Sequence, residues 1–470
     1  LNISKGNSSH AEGKKTQAIG DGSHAEGDNC IAMGINSHVE GNNSLSGGNN
    51  SHIEGGQEEF SQLSITFSKQ GDGNFYYVDK PINSAFKFGG ILYNLLNIKS
   101  ISGRLIIQTD KEIQTLDKEI QITLYKHYAG SKYSHVEGFE SITYNELSTN
   151  YDEGDCIANH AEGYRTKSYG RFGSHSEGMG TIASGKSSHA EGYNTKATGP
   201  YSHTEGYNTE VTGSYSHAEG GDTKVIGSYS HAEGHSSKAS GQASHAEGID
   251  SIADGAGSHA EGNSHAIGNY SHSEGQTTTA KGSCSHAEGI ETEANGEKSH
   301  AEGNGSHAEG HHSHAEGYHT KSNGESSHSE GYSTEASGNC SHAEGFGTNT
   351  TGNYSHSEGG DTTASGEYSH AEGEYSIASG WYSHAEGFQT KSIGEESHAE
   401  GRATQAKGRS THTEGYETIA ENNFSHAEGY TTKTTGEASH AEGRFTEANG
   451  ENSHAEGTNT KSNGISSHAE

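Results

Sequence analysis

The chain has 470 residues, of which 27% are hydrophobic and 69 are glycine, and its formal charge is −34. Such a balance excludes one large apolar core, and the acidity excludes nucleic acid as a partner, because phosphate binding needs a basic face. No apolar run approaches the roughly 18 residues that span a bilayer, so this segment is not expected to insert in a membrane.

In chain order, residues 1–55 are repetitive. The motif Ser-His-Ala-Glu-Gly and its variants start at Ser9, Ser23, Ser37 and Ser51, each fourteen residues apart. Residues 56–133 break the pattern with short β-branched and aromatic runs, such as Leu63 to Phe67, Phe75 to Val78 and Arg104 to Ile107. Between Gly, Asn and Asp turns these predict a small all-β insertion. The motif returns at Ser134, and 134–158 reads as irregular coils, with a degraded coil expected at 150–154. Residues 159–470 form a long array, in which the motif serines recur every fourteen residues from Ser188 to Ser258 and then, with one slip of a residue, to Ser467. The chain begins at Leu1 and stops inside a repeat at Glu470, which reads as a segment of a longer protein.

Between the Ser-His motifs lies a second pentad, for example Thr195-Lys196-Ala197-Thr198-Gly199. Alternation of period two within each pentad predicts strands. Glycine at the fifth position suits a corner. The expected fold class is all-β: a parallel β-roll solenoid with 14-residue coils, each of two five-residue strands. Motifs starting at Ser299, Ser306 and Ser313, only seven apart, indicate that the two halves of a coil share one backbone.

The alternation also assigns faces. Ser188, Ala190 and Gly192 of the first pentad, and Thr195, Ala197 and Gly199 of the second, should line a narrow interior. Intervening positions of the second strand vary freely. Those of the first strand are nearly always His and Glu, as in His189 and Glu191, His217 and Glu219, His245 and Glu247, His342 and Glu344, His384 and Glu386, and His426 and Glu428. A face so restricted along the whole array suggests self-association around a common axis.

At these residues the chain resembles the head repeats of trimeric autotransporter adhesins, the YadA-like heads, over about 1–55 and 159–470. That resemblance implies a left-handed roll and a tight homotrimer, with the His and Glu positions as an axial ladder. Where those heads carry apolar residues on the conserved strand, this chain has His189 and Glu191. The Ser-His-Ala-Glu-Gly variant is similar to repeats of phage tail fibres and related appendages. The function so implied is a structural, adhesive fibre, extracellular, on a virion tail or a cell surface, with a receptor or glycan as partner. A bacterial surface or spore-filament adhesin is the alternative, and a metal-stabilised scaffold a more distant one.

Twenty-nine His-x-Glu sites along an array do not make one pocket, so neither catalysis nor a cofactor is expected. His and Glu are good zinc or nickel ligands, yet the spacing is not that of a catalytic zinc motif, and no metal is expected; hydrogen bonding between chains is the favoured role. Tyr201, Tyr215, Tyr229, Tyr354, Tyr368 and Tyr382 precede the motif serine and should stack at corners, with surface contact as a second role. Thr195, Thr209 and Thr223 begin a rank of the kind ice-binding arrays use, which Ser237 and Ser251 break. Cys30, Cys156, Cys284 and Cys340 have no metal-like spacing and read as free thiols.

Overall fold

The computed structural model describes residues 1–57, 113, 129–130, 132–143 and 158–470 with their side chains, and Tyr128 and seven strands between residues 61 and 124 by backbone. Two compact units divide the chain, Leu1–Asp250 and Ser251–Glu470. Each is a parallel β-solenoid with a repeat of about 14 residues, and no described residue is helical.

One coil of the first unit illustrates both. Ser188 is buried, and the first strand runs His189–Tyr193. Asn194 turns the chain with φ 55°, and the second strand is Lys196–Ala197. Tyr201 makes the other corner with φ 56°. The next coil stacks in register, with His189 beside His203 and Lys196 beside Glu210. In the second unit His314–Tyr318 lies beside His328–Tyr332, and Lys321–Ser322 beside Glu335–Ala336.

The interior holds small side chains, as expected for Ser188, Ala190, Thr195, Ala197 and Gly199. Many motif serines share one task. Ser202 Oγ donates to the Gly199 carbonyl at 2.6 Å, Ser327 to Gly324 at 2.7 Å and Ser439 to Gly436 at 2.7 Å. A hydroxyl three residues after the corner carbonyl thereby satisfies itself inside a dry core.

Three expectations are corrected. The second strand pairs over two residues, not five, because the corner follows immediately. Gly192 is only partly covered rather than interior. Finally, the glycine corner holds for the first pentad, where Gly192 has φ 105°, but not for the second: Gly199 has no positive φ, and the left-handed residues before the two pentads of this coil are Asn194 and Tyr201. Gly199 is needed for a different reason: a Cβ there would sit 2.1 Å from the Gly213 carbonyl oxygen of the next coil.

The slip of a residue lies in the second unit. His259–Ala266 pairs with His272–Ala280 through a register shift after Asn263, where one corner residue is missing. The half-coil exchange is equally plain. The strand His307–Ala308, from the motif at Ser306, pairs with Glu293 and with Lys321, so it fills a second-strand slot.

The insertion belongs to a single coil of the first unit. Its first strand is His52–Gly56 and its second is Tyr128–Ala129, which pairs with Leu45–Ser46 and with Ile142–Thr143. Tyr128 and Ala129 lie inside the span 56–133 assigned to the insertion, yet they close the coil. His135–Phe139 then pairs directly with His160–Tyr164, so no coil lies between them. The degraded coil expected at 150–154 falls outside the described residues.

The inserted strands form one antiparallel seven-stranded sheet. Ser61–Lys69 is central, pairing with Glu119–Leu124 along its start and Phe75–Val78 at its end. The two edge strands are Ile91–Tyr93 and Leu95–Ile101, joined by one residue. A one-residue link reaches only about 7 Å. Those two strands are therefore close at the ends that the link joins.

Candidate functional site: a histidine–glutamate face and aromatic corners

Because Ser and Ala of the first strand point inward, His and Glu point outward. In-register parallel stacking sets each residue above its own equivalent. The imidazole of His189 stacks on those of His175 and His203, with centroids 4.6 and 4.7 Å away. His217 stacks on His231 at 4.9 Å, and His231 on His245 at 5.0 Å. In the second unit His342 stacks between His328 and His356 at 4.8 and 4.7 Å, His384 on His398 at 4.7 Å, and His426 on His440 at 4.7 Å.

Within a coil the ring meets its own glutamate. Nε2 to Oε2 distances are 3.8 Å for His189 and Glu191, 3.7 Å for His217 and Glu219, and 3.4 Å for His245 and Glu247. They are 4.0 Å for His384 and Glu386 and 3.8 Å for His426 and Glu428. For His189, His217, His342, His384 and His426, Nε2 is sealed from solvent and makes no hydrogen bond within the chain. The rest of the ring is not sealed: the His189 side chain is 36% exposed.

Burial of one ring edge, and then the neighbouring imidazoles, hold His189, His217, His384 and His426 below the ordinary histidine range. His175 is lowered to about 4 by the same causes. Glutamates oppose the shift without cancelling it. At neutral pH His175, His189, His217, His384 and His426 are neutral imidazoles flanked by carboxylates.

Corner tyrosines form columns as the sequence suggests. Tyr201, Tyr215 and Tyr229 stack at 4.8 and 5.1 Å, and Tyr354, Tyr368 and Tyr382 at 4.9 Å each. All six take left-handed backbone. Their faces are turned to one another, so a column offers ring edges to solvent. Some partners were not anticipated. Lys186 lies over the rings of Phe172 and Tyr201, and Arg402 over Phe388 and Tyr416. Asn194, Asn208 and Asp222 form a side-chain ladder with bonds of 2.6 and 3.0 Å. The only signal in sequence was an amide or carboxylate recurring at one corner position every fourteen residues.

Other candidates are placed as follows. Thr195, Thr209 and Thr223 are buried, so that rank does not face solvent. Cys30 is buried, its Sγ donating to the Gly41 carbonyl at 3.2 Å, and burial pushes the thiol up to about 11. Cys284 and Cys340 are exposed and free, and Cys156 lies outside the described residues. A shallow groove in the first unit is lined by Tyr164, Arg165, Met179, Tyr193, Asn194 and Tyr207, and one in the second by Asp361, Thr363, Tyr375, Ile377, Gln389 and Lys391. No family model matches the chain, and no curated protein matches it in sequence.

Proposed function

We propose that this chain is a structural, adhesive fibre segment: three copies wind as left-handed rolls around a common axis, and the assembly attaches to a cell surface, as in a phage tail fibre or a related appendage. The supporting observation is the His–Glu face, repeated in register within each unit while the second strand varies. The interior of one roll supports the same reading. It is made mostly of Ala, Ser, Thr and Gly, with a few larger residues such as Val39, Leu45, Ile53, Val211 and Val225, and burial of small side chains at about 25 cal/mol per Å² is small against about 1–2 kcal/mol per residue of lost backbone freedom. A second source of stability is required, and an interchain face that recurs with every coil supplies it.

In this reading the inserted sheet between residues 61 and 124 carries recognition, since it leaves the coil at one corner and returns to the same coil. Stacked tyrosine faces are occupied by one another, which leaves the columns a packing role. The test is the mass of the purified chain by light scattering. Three times the chain mass of 49.4 kDa is expected; a monomer overturns the proposal.

A further inference from the structure

We infer that the His–Glu face is a linear array of divalent transition-metal sites, of the zinc and nickel class, in which each ion is held by the His and Glu of one coil and the His of the next. Donor atoms are already gathered. His189, Glu191 and His203 offer three ligand atoms that all lie within 4.8 Å of one another, as do His203, Glu205 and His217, and His217, Glu219 and His231. Imidazole nitrogen and carboxylate oxygen are the donors this class of ion prefers. The sealed Nε2 of His189, His203 and His217 has no hydrogen-bond partner, so no existing bond must break.

The geometry is close to what an ion requires but is not preformed. Bonds of about 2.0–2.1 Å in a tetrahedron hold donor atoms about 3.4 Å apart. The His–Glu pairs stand at 3.8 and 3.7 Å. The second imidazole must tilt inward by about an ångström to reach the same separation. Backbone spacing does not prevent this. Rings are inclined by 57° between His52 and His135, and by 61° between His398 and His412, at centroid distances of 5.0 and 4.9 Å. The stack therefore tolerates ring rotation without changing its repeat. The glutamate, about half exposed at Glu191, is the group that can swing aside to admit the ion.

Sharing of ligands dictates the stoichiometry. His203 belongs to two of these groups, but Nε2 has one lone pair. An ion on one side of His203 excludes an ion on the other. Occupancy is thus limited to every second gap between coils, and capacity to half the 28 ladder histidines.

This inference needs only stacked coils and not the threefold association, so zinc capacity and light-scattering mass fail separately. The experiment uses the full chain without a histidine tag, stripped by chelator and dialysed against micromolar zinc chloride at pH 7.5, with bound zinc counted per chain. Saturation at or below one zinc per two ladder histidines is expected. The variant Glu191→Gln/Glu205→Gln/Glu219→Gln should bind one or two fewer ions. No binding, a capacity above half the ladder histidines, or an undiminished capacity in the variant overturns the inference.

Discussion

A Cβ placed on Gly359 would lie 2.0 Å from the carbonyl oxygen of Gly373 in the next coil. Gly359 also has φ +100°, a conformation L side chains rarely adopt. Its chain neighbour Gly360 has neither restriction: a Cβ there would meet only the Glu374 Cγ, at 3.5 Å. Gly359→Ala should destabilise by about 3 kcal/mol or more per chain, from overpacking and left-handed strain together. Gly360→Ala should change stability by less than about 0.5 kcal/mol. Thermal melting of the two variants side by side checks the stacking; equal effects contradict it.

Hydroxyls of one coil should behave oppositely. Ser327 Oγ donates to the Gly324 carbonyl at 2.7 Å, whereas the buried Thr334 Oγ1 has no partner. Ser327→Ala should cost about 1 kcal/mol by deleting a bond. Thr334→Val keeps the shape and removes an unsatisfied hydroxyl, so it should be neutral or stabilising. Denaturant midpoints measure both, and a loss of stability in Thr334→Val contradicts the assignment.

Acid should destabilise the fold. His189 faces His203 and the carboxylates of Glu177, Glu191 and Glu205, and burial dominates their sum to lower its pKa. His217, His384 and His426 shift the same way, and His175 falls to about 4. A depressed histidine means that the unfolded chain, with pKa about 6.5, binds more protons than the folded one. Stability is complete above about pH 6.5 and declines as pH falls through that value toward the folded pKa. Melting temperature measured in metal-free buffer from about pH 8 to about pH 4.5 should fall; a rise means that His–Glu pairing outweighs burial.

The insertion should be removable without disturbing the roll. Replacing residues 58–127 by a single Thr joins Gln57 to Tyr128 and restores the fourteen-residue interval between Ser51 and Ser134. The ladder His38, His52 and His135 then continues as it already pairs. The shortened chain should keep its melting temperature and lose attachment to its target cell. Unchanged attachment moves recognition to the coils; loss of folding shows that the inserted sheet supports them.

The repeat in the sequence was enough to determine the parallel solenoid, its coil length and the inward side of Ser188, Ala190, Thr195 and Ala197. A period of two puts alternate residues on opposite faces wherever the backbone is extended, and a period of fourteen puts equals upon equals. Other features depended on distances between coils, which no single repeat contains. Gly199 looked like a turn residue and is instead a contact residue, because its hydrogen faces a carbonyl fourteen positions away in chain and 2.1 Å from where a Cβ would stand. The corner φ values fell on Asn194 and Tyr201, side chains whose own stacking along the roll accompanies a backbone that composition alone would give to glycine. The closing of the interrupted coil by Tyr128 and Ala129 was invisible for the same reason: two residues carry no periodicity, and only their pairing with Leu45–Ser46 identifies them. The histidines were legible as a ladder, but the sealing of Nε2 between one ring and the next is a property of the stack.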